Sequence, residues 1–395
     1  MKTITKVLFF AYTILSSLCA HAYDFEVDGI YYNVSSLTDL TCSVTSGTSK
    51  YSGYVKIPSK VNYNDLELSV ISIEKSAFYD CKELTSIVIP NSVTSIGAYA
   101  FDYCSALTSI EIPNSVMSIE KNAFDFCSSL DSIIIPNSVT SIEAFAFSHC
   151  TSLRSITLSD KLSTFPMGMF TDCSSLVSLT IPDGIEHIEQ GFVSSPSNTV
   201  WYCPFDGCTT LRNLTIEYSS SILYAGYLYC YTTHVAQYEF RERKWMSWIN
   251  KLYYLTIDRE LNYSMTPTSL KELTLGEHIR KVQVEVKNCN NLSKITCLAT
   301  TPPTELTATN KQYKDVEVKV PKGCLEAYQN AEGWKNFWNM SEMEDGESGV
   351  DSVIADEAKT EIGRYNLQGH KVGDDYRGMV IIKYSDGSTR KILNN

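Results

Sequence analysis

The chain has 395 residues, 44% of them hydrophobic, and a formal charge of −12. That balance speaks against a nucleic-acid partner, because phosphate binding needs clustered Lys and Arg. No run of about 18 apolar residues follows the N-terminus, so no membrane-spanning helix is expected.

Residues 1–22 read as a secretory signal peptide. Lys2 and Lys6 precede the apolar stretch "VLFFAYTILSSL" (7–18), and Ala20-His21-Ala22 gives a small-x-small cleavage site. The mature chain is expected to begin at Tyr23, as an exported protein, secreted or held at the outer cell surface. Losing Lys2 and Lys6 takes the charge from −12 to −14. Leu18 before Cys19 does not suit a lipoprotein signal. Export makes disulfides the default for the remaining cysteines.

Residues 23–70 read as an N-terminal β cap. "DFEVDGIYYNV" (24–34) alternates apolar and polar residues around Asp28-Gly29, a hairpin turn.

A repeat follows. Phe78, Phe101, Phe124, Phe147 and Phe170 stand 23 residues apart, and Cys81, Cys104, Cys127, Cys150 and Cys173 keep the same step. So do Leu84, Leu107, Leu130, Leu153 and Leu176. A fixed period of this size signals a solenoid, in which no coil buries its apolar side alone. Within one coil, Leu84, Ile87 and Ile89 point inward on a strand. Pro90 ends the strand because it lacks an N–H, and Asn91-Ser92 turns the chain. Val93 and Ile96 begin a second apolar side, and Ala77-Phe78 closes the coil. The Phe and Cys rows form a structural ladder. A small thiol with a weak S–H donor suits a buried turn, and parallel stacked Cβ vectors fit a disulfide poorly.

The pattern "AFxxCxxLxSIxIPxSVxSI" resembles the BspA-like leucine-rich repeat family of secreted and surface proteins. The match spans about 73–218, returns in 269–300 and extends into "VEVKVPKGCLEAYQNAEGWKNFWNM" (316–340). The resemblance implies a leucine-rich repeat solenoid of about ten coils over 71–315, with short parallel strands along one side. It also implies non-catalytic adhesion to host matrix proteins or to other cells.

The outward strand positions are Ser86/Val88, Ser109/Glu111, Ser132/Ile134, Ser155/Thr157 and Ser178/Thr180. This nearly uncharged face is read either as a docking surface for an extended protein partner or as solubilising cross-strand Ser/Thr pairs.

The pattern loosens further on. "DKLSTFPMGMF" (160–170) is a divergent coil without its Pro. "GFVSSPSNTVWYCP" (191–204) delays the next Phe-x-x-Cys to Phe205 and Cys208. Residues 218–268 form an irregular Tyr-rich insertion carrying Tyr224, Tyr227, Tyr229, Tyr231, Trp245 and Trp248. These aromatics either pack a larger coil or present an exposed surface for a protein or a surface glycan. Cys203, Cys208, Cys230, Cys289, Cys297 and Cys324 are left open between free thiols and disulfides, a local Cys203–Cys208 bridge among the options.

The segment 316–340 should cover the last coil, with a short helical pattern over 324–338. Residues 341–357 read as an acidic linker. Residues 358–395 read as a β-hairpin tail: "MVIIKY" (379–384), a turn at 385–387, and a return strand "STRKIL" (388–393). The tail resembles C-terminal sorting or anchoring tails of exported proteins. The histidines are scattered, with no metal-ligand spacing and no phosphate loop, so no cofactor, metal or catalytic set is expected. His149 in particular sits at a turn position that other coils fill with Asp80, Tyr103, Phe126 and Asp172.

Overall fold

The computed structural model describes residues 23–195, 198–202, 204–217, 224–230, 252, 254–258, 265, 267–344, 361–366, 371–373, 376–384 and 389–394. It is a leucine-rich repeat solenoid built of short, mostly parallel strands.

Two rows of strands run along the solenoid. One row carries the L-x-x-I-x-I segments. Tyr54 pairs with Ser86, Ser86 with Ser109, and Ser132 with Ser155, all in parallel. The row continues from Ser178 to Asn213, Tyr254, Glu272, Lys294, Glu317 and Asn339. The other row carries the S-V-x-S-I segments, where Ser72, Ser95, Ser118 and Ser141 pair in succession. Between the rows lies one continuous core. Leu84, Ile87 and Ile89 are buried, and so are Val93 and Ile96. The Pro90 carbonyl accepts from the Val93 N–H, and Pro113 and Pro136 repeat this turn with Val116 and Val139.

The corner after each second-row strand packs most tightly. Phe78, Phe101, Phe124 and Phe147 are fully buried and stack ring on ring at 5.0, 5.2 and 5.3 Å between neighbours, and Phe170 follows at 6.0 Å. Each offset-stacked pair adds roughly 0.5–1.5 kcal/mol beyond its buried area. Three N–H groups per corner bond to the next coil: Ser76, Phe78 and Asp80 donate to the carbonyls of Ala98, Ala100 and Asp102. The corner needs left-handed backbone at two places per coil. Tyr99, Asn122 and Phe145 take one, and Tyr103, Phe126 and His149 the other. Non-glycine residues hold such angles at a cost of roughly 1–2 kcal/mol each, offset here by the interlocking bonds.

The cysteines have a specific partner. Cys104, Cys127, Cys150 and Cys173 are buried free thiols whose Sγ donates to the carbonyls of Phe78, Phe101, Phe124 and Phe147, at 3.1, 3.2, 3.1 and 3.0 Å. Cys208 does the same to Phe170. Cys289 and Cys297 are also buried free thiols, and Cys324 is a half-buried one; Cys203 lies outside the described residues.

Elsewhere the structure departs from the sequence reading. The strand His187–Ser195 folds back on Asn198–Tyr202 as a hairpin at the 191–204 insertion. The helical pattern over 324–338 holds only for Leu325–Asn330. Trp334 lies past its end, buried, with Nε1 donating to the Pro303 carbonyl at 2.7 Å. Trp338 does not share its fate: it is 72% exposed, beneath the Lys314 ammonium. A further helix, Asn310–Asp315, starts at a capping box between Thr309 and Gln312. The tail holds the expected hairpin and adds a third antiparallel strand to it. Glu361–Asn366 pairs with Gly378–Tyr384, which pairs with Thr389–Asn394.

Removing one ladder thiol tests the corner. Cys127→Ala should cost about 1–3 kcal/mol, because it opens a small cavity and leaves the Phe101 carbonyl with the Cys104 N–H as its one remaining donor. Cys324→Ala should be near neutral. Denaturant midpoints of the two variants check this.

Candidate binding surface

The outer surface of the first strand row is the candidate site. A parallel sheet holds every second side chain of each strand on that surface, in rows that cross the coils. Val88 is 43% exposed, and Ser109, Glu111 and Thr180 are exposed. Ser86, Ser132, Ile134 and Ser178 are half-buried by their neighbours.

Ser155 and Thr157 differ from the outward expectation: they are 3% and 8% exposed. The last strand of the tail, Thr389–Asn394, lies against Ser155–Thr157. In the middle tail strand Val380, Ile381 and Ile382 are all buried. Consecutive strand residues point to opposite faces, so both faces of the tail sheet are covered.

The same surface runs on past Thr180, which sequence reading missed. Thr180, Thr215, Thr256, Thr274 and Thr296 are successive partners in one row, exposed at Thr180, half-buried at Thr215 and Thr256, and buried at Thr274 and Thr296. The signal was present in "NLTI", "YLTI", "ELTL" and "KITC", each with Thr at the same strand position. Beside it Glu272, Lys294 and Glu317 alternate in sign along the row. The strand Asn213–Ile216 pairs directly with Tyr254–Ile257, so the Tyr-rich insertion leaves the sheet unbroken. Its strand Tyr224–Cys230 joins the other row, parallel to His187–Ser195. The side chains of Tyr224, Tyr227 and Tyr229, and the whole of Tyr231, Trp245 and Trp248, lie outside the described residues.

Residues 71–199 match the description "BspA type Leucine rich repeat region" in six copies. This stretch is a BspA-type leucine-rich repeat region. Several solved leucine-rich repeat proteins are similar. One from T. pallidum is 27% identical, over 52% of this chain and 86% of its own, with a TM-score of 0.43. One from Bacteroides ovatus is 23% identical, over 82% and 100%, with a TM-score of 0.40. A leucine-rich cell surface protein from Faecalibacterium prausnitzii is 19% identical, over 81% and 94%, at 0.41. No curated protein matches the sequence.

The BspA-type corners carry one polar cluster. Tyr103, Phe126 and His149 stack at 4.4 and 4.0 Å on the outer side of the corner. His149 Nδ1 lies 2.9 Å from an Asp125 carboxylate oxygen, and its Nε2 lies 3.4 Å from Asp172. Asp102, one coil earlier than Asp125, is buried with one carboxylate oxygen unpaired. Burial pushes its carboxyl up to about 7, and the Asp125 charge adds to this. The Ser148 hydroxyl lies 2.8 Å from His149 Nδ1, but Ser148 is fully buried and shares that nitrogen with Asp125, and the neighbouring Cys150 thiol points into the core toward Phe124. Among the described residues, no three His, Cys, Asp or Glu side chains are placed to hold a metal. No described helix is long and apolar enough to cross a membrane.

Two measurements follow from this surface. A carboxyl held at about 7 when folded and about 4 when unfolded binds more protons in the folded state across that window. Its contribution to stability is therefore full below about pH 4 and is lost as pH rises through 7. Asp102→Asn should raise the thermal midpoint at pH 8, by about 1–3 kcal/mol of stability, and make little difference at pH 4. Separately, a cysteine placed at Ser155 should react with a maleimide at least tenfold more slowly than one placed at Ser109. Mass mapping of labelled peptides reads both rates.

Proposed function

We propose that this chain is an exported, non-catalytic repeat protein that binds other macromolecules through its outer strand surface. Its role is adhesion, to host matrix proteins or to other cells. The observation that carries the reading is the outer face of the first strand row, where Ser86 pairs in register with Ser109 and where one unbroken sheet runs from Ser178 across two insertions to the last strand. A rigid frame of this kind presents an extended surface whose side chains lose little entropy on binding. Hydroxyl rows offer paired donors and acceptors to an extended protein partner. Export is supported by the charged and apolar segments of residues 1–22.

A second reading keeps binding but moves it to the aromatics of 224–254, with a surface glycan as ligand. Tyr and Trp supply the apolar faces that sugar rings stack on.

One array separates the two. The chain from Tyr23 is applied to immobilised matrix proteins, mucins and bacterial glycans, beside a Ser109→Arg/Thr180→Arg variant and a variant with Tyr224, Tyr227, Tyr229, Trp245 and Trp248 changed to Ala. Saturable protein binding weakened at least tenfold by the two arginines, with the melting midpoint unchanged, is the expected result. Glycan binding lost only in the alanine variant would move the function to the insertion. No binding by any form would overturn both readings.

A further inference from the structure

The first strand row has an open end. Its first strand, Gly53–Lys56, has one strand neighbour among the described residues, Leu84–Val88. The other row is closed at this end by the antiparallel strands Phe25–Val27, Ile30–Ser36 and Thr41–Thr45. The two rows are therefore capped unequally.

Parity along the open strand shows which backbone groups are free. The Gly53 N–H donates to the Glu83 carbonyl at 2.7 Å, and the Ile57 N–H donates to Val88 at 3.0 Å. Odd-numbered residues thus face the neighbouring strand. N–H and C=O of one residue in a strand point the same way, and alternate residues point oppositely. Tyr54 and Lys56 consequently aim their N–H and C=O outward, at the spacing of a ladder.

These groups open onto a cleft of ≈ 400 Å³. Val27, Asp28 and Ile30 of the first hairpin form one wall, and Lys50, Tyr54 and Lys56 the other. Tyr51 stiffens the floor: its hydroxyl donates to the Thr45 carbonyl at 2.7 Å and accepts from the Tyr31 N–H at 3.0 Å. Tyr54 is 62% exposed and Lys56 is exposed, on the same side of the strand, while Val55 between them turns inward. Lys50 and Lys56 form no ion pair among the described residues; Lys50 donates to the Tyr79 carbonyl and lies over that ring. The cleft is thus cationic in a chain of charge −12, with Asp28 as its single lining carboxylate.

We infer that this cleft is a peptide-binding site, in which an extended acidic segment of a partner protein adds as a strand to the Gly53–Lys56 edge. Backbone pairing with Tyr54 and Lys56 supplies the register. On the outer side the added strand carries an Asp or Glu opposite Lys56 and, two residues away, another opposite Tyr54, whose hydroxyl can donate to it. The residue between them is apolar and packs beside Val55 over the open end of the core. The edge adjoins the Ser/Thr surface, since Tyr54 and Lys56 pair in register with Ser86 and Val88, but strand addition there does not depend on the function proposed for that surface.

The test uses the full chain from Tyr23 and a fluorescein-labelled eight-residue peptide of alternating Val and Asp. Binding is followed by anisotropy. The expected result has three parts. The Val/Asp peptide binds at least tenfold more tightly than an alternating Val/Lys peptide. N-methylation of one alternating set of its amides abolishes binding, and N-methylation of the other set leaves it unchanged. Lys56→Glu weakens it at least tenfold, and hydrogen exchange at the Tyr54 and Lys56 amides slows when the peptide is present. Equal binding of the two N-methylated forms would show charge attraction without strand addition and would overturn the inference. So would unchanged exchange at Tyr54 and Lys56, which would mark the lysines as mere protection of an exposed edge. Concentration-dependent dimers that protect the same two amides would give the edge to a second copy of this chain, and the acidic-peptide inference would fall.

Discussion

The constraint on which this structure depends is that a coil must satisfy much of its backbone in its neighbours. Strand amides pair across coils, and at the corner Phe101 and Tyr103 donate to the carbonyls of Ala123 and Asp125 in the next turn. Buried amides left unpaired are costly, so the coils must be congruent. Congruence puts residue 101 over 124 and 124 over 147, and an inward position can then be filled only by side chains that stack on copies of themselves. Flat Phe rings and small Cys thiols meet that condition. The Cys Sγ–H further ties each corner to a Phe carbonyl 26 residues back. The repeat in the sequence is the visible trace of this requirement.

The outward positions carry no such demand, which is why they drift in composition. Ser86, Ser109 and Ser132 give way to Asn213, Glu272 and Lys294 at equivalent places. What persists is a second row that settles into Thr from Thr180 to Thr296. β-branched hydroxyl residues pack well on a pleated sheet and pair across strands, and Thr274 and Thr296 are buried there. The polar surface thus has a structural cause of its own, which is compatible with use in binding and does not require it. The corner cluster around Asp102 and Asp125 is different in kind, since burial there works against the charged carboxyl.

Much of this was legible in the residues, and the exceptions share a physical pattern. Rows such as Phe78–Phe170 and Cys81–Cys173 announce themselves because equal spacing places equal chemistry together. The turn at Asp28-Gly29 was legible because few residue pairs accept its left-handed angles. The tail's third strand, "EIGRYN", was missed because it lacks the clear alternation that a half-buried strand shows. Trp334 and Trp338 stand four apart and so read as helical, yet the helix ends at Asn330. The burial of Ser155 and Thr157 could not be foreseen at all. It arises from a segment more than two hundred residues away in the chain, and no local pattern records such a contact.

The way the sheet passes straight from Asn213–Ile216 to Tyr254–Ile257 has a consequence for how such a protein can change. The excursion between those strands begins and ends at adjacent points of a frame that other coils already hold. Lengthening a loop closed in this way is cheap: each doubling adds only about 0.6 kcal/mol of closure entropy. The frame therefore tolerates wholesale replacement of that excursion, while a residue added inside a strand must be absorbed on the spot as a bulge, as between Gly53 and Tyr54 opposite Leu84–Ser86. Novelty in this architecture can accumulate by exchange of one long loop, with the scaffold carried along unaltered, much as a handle accepts a different blade.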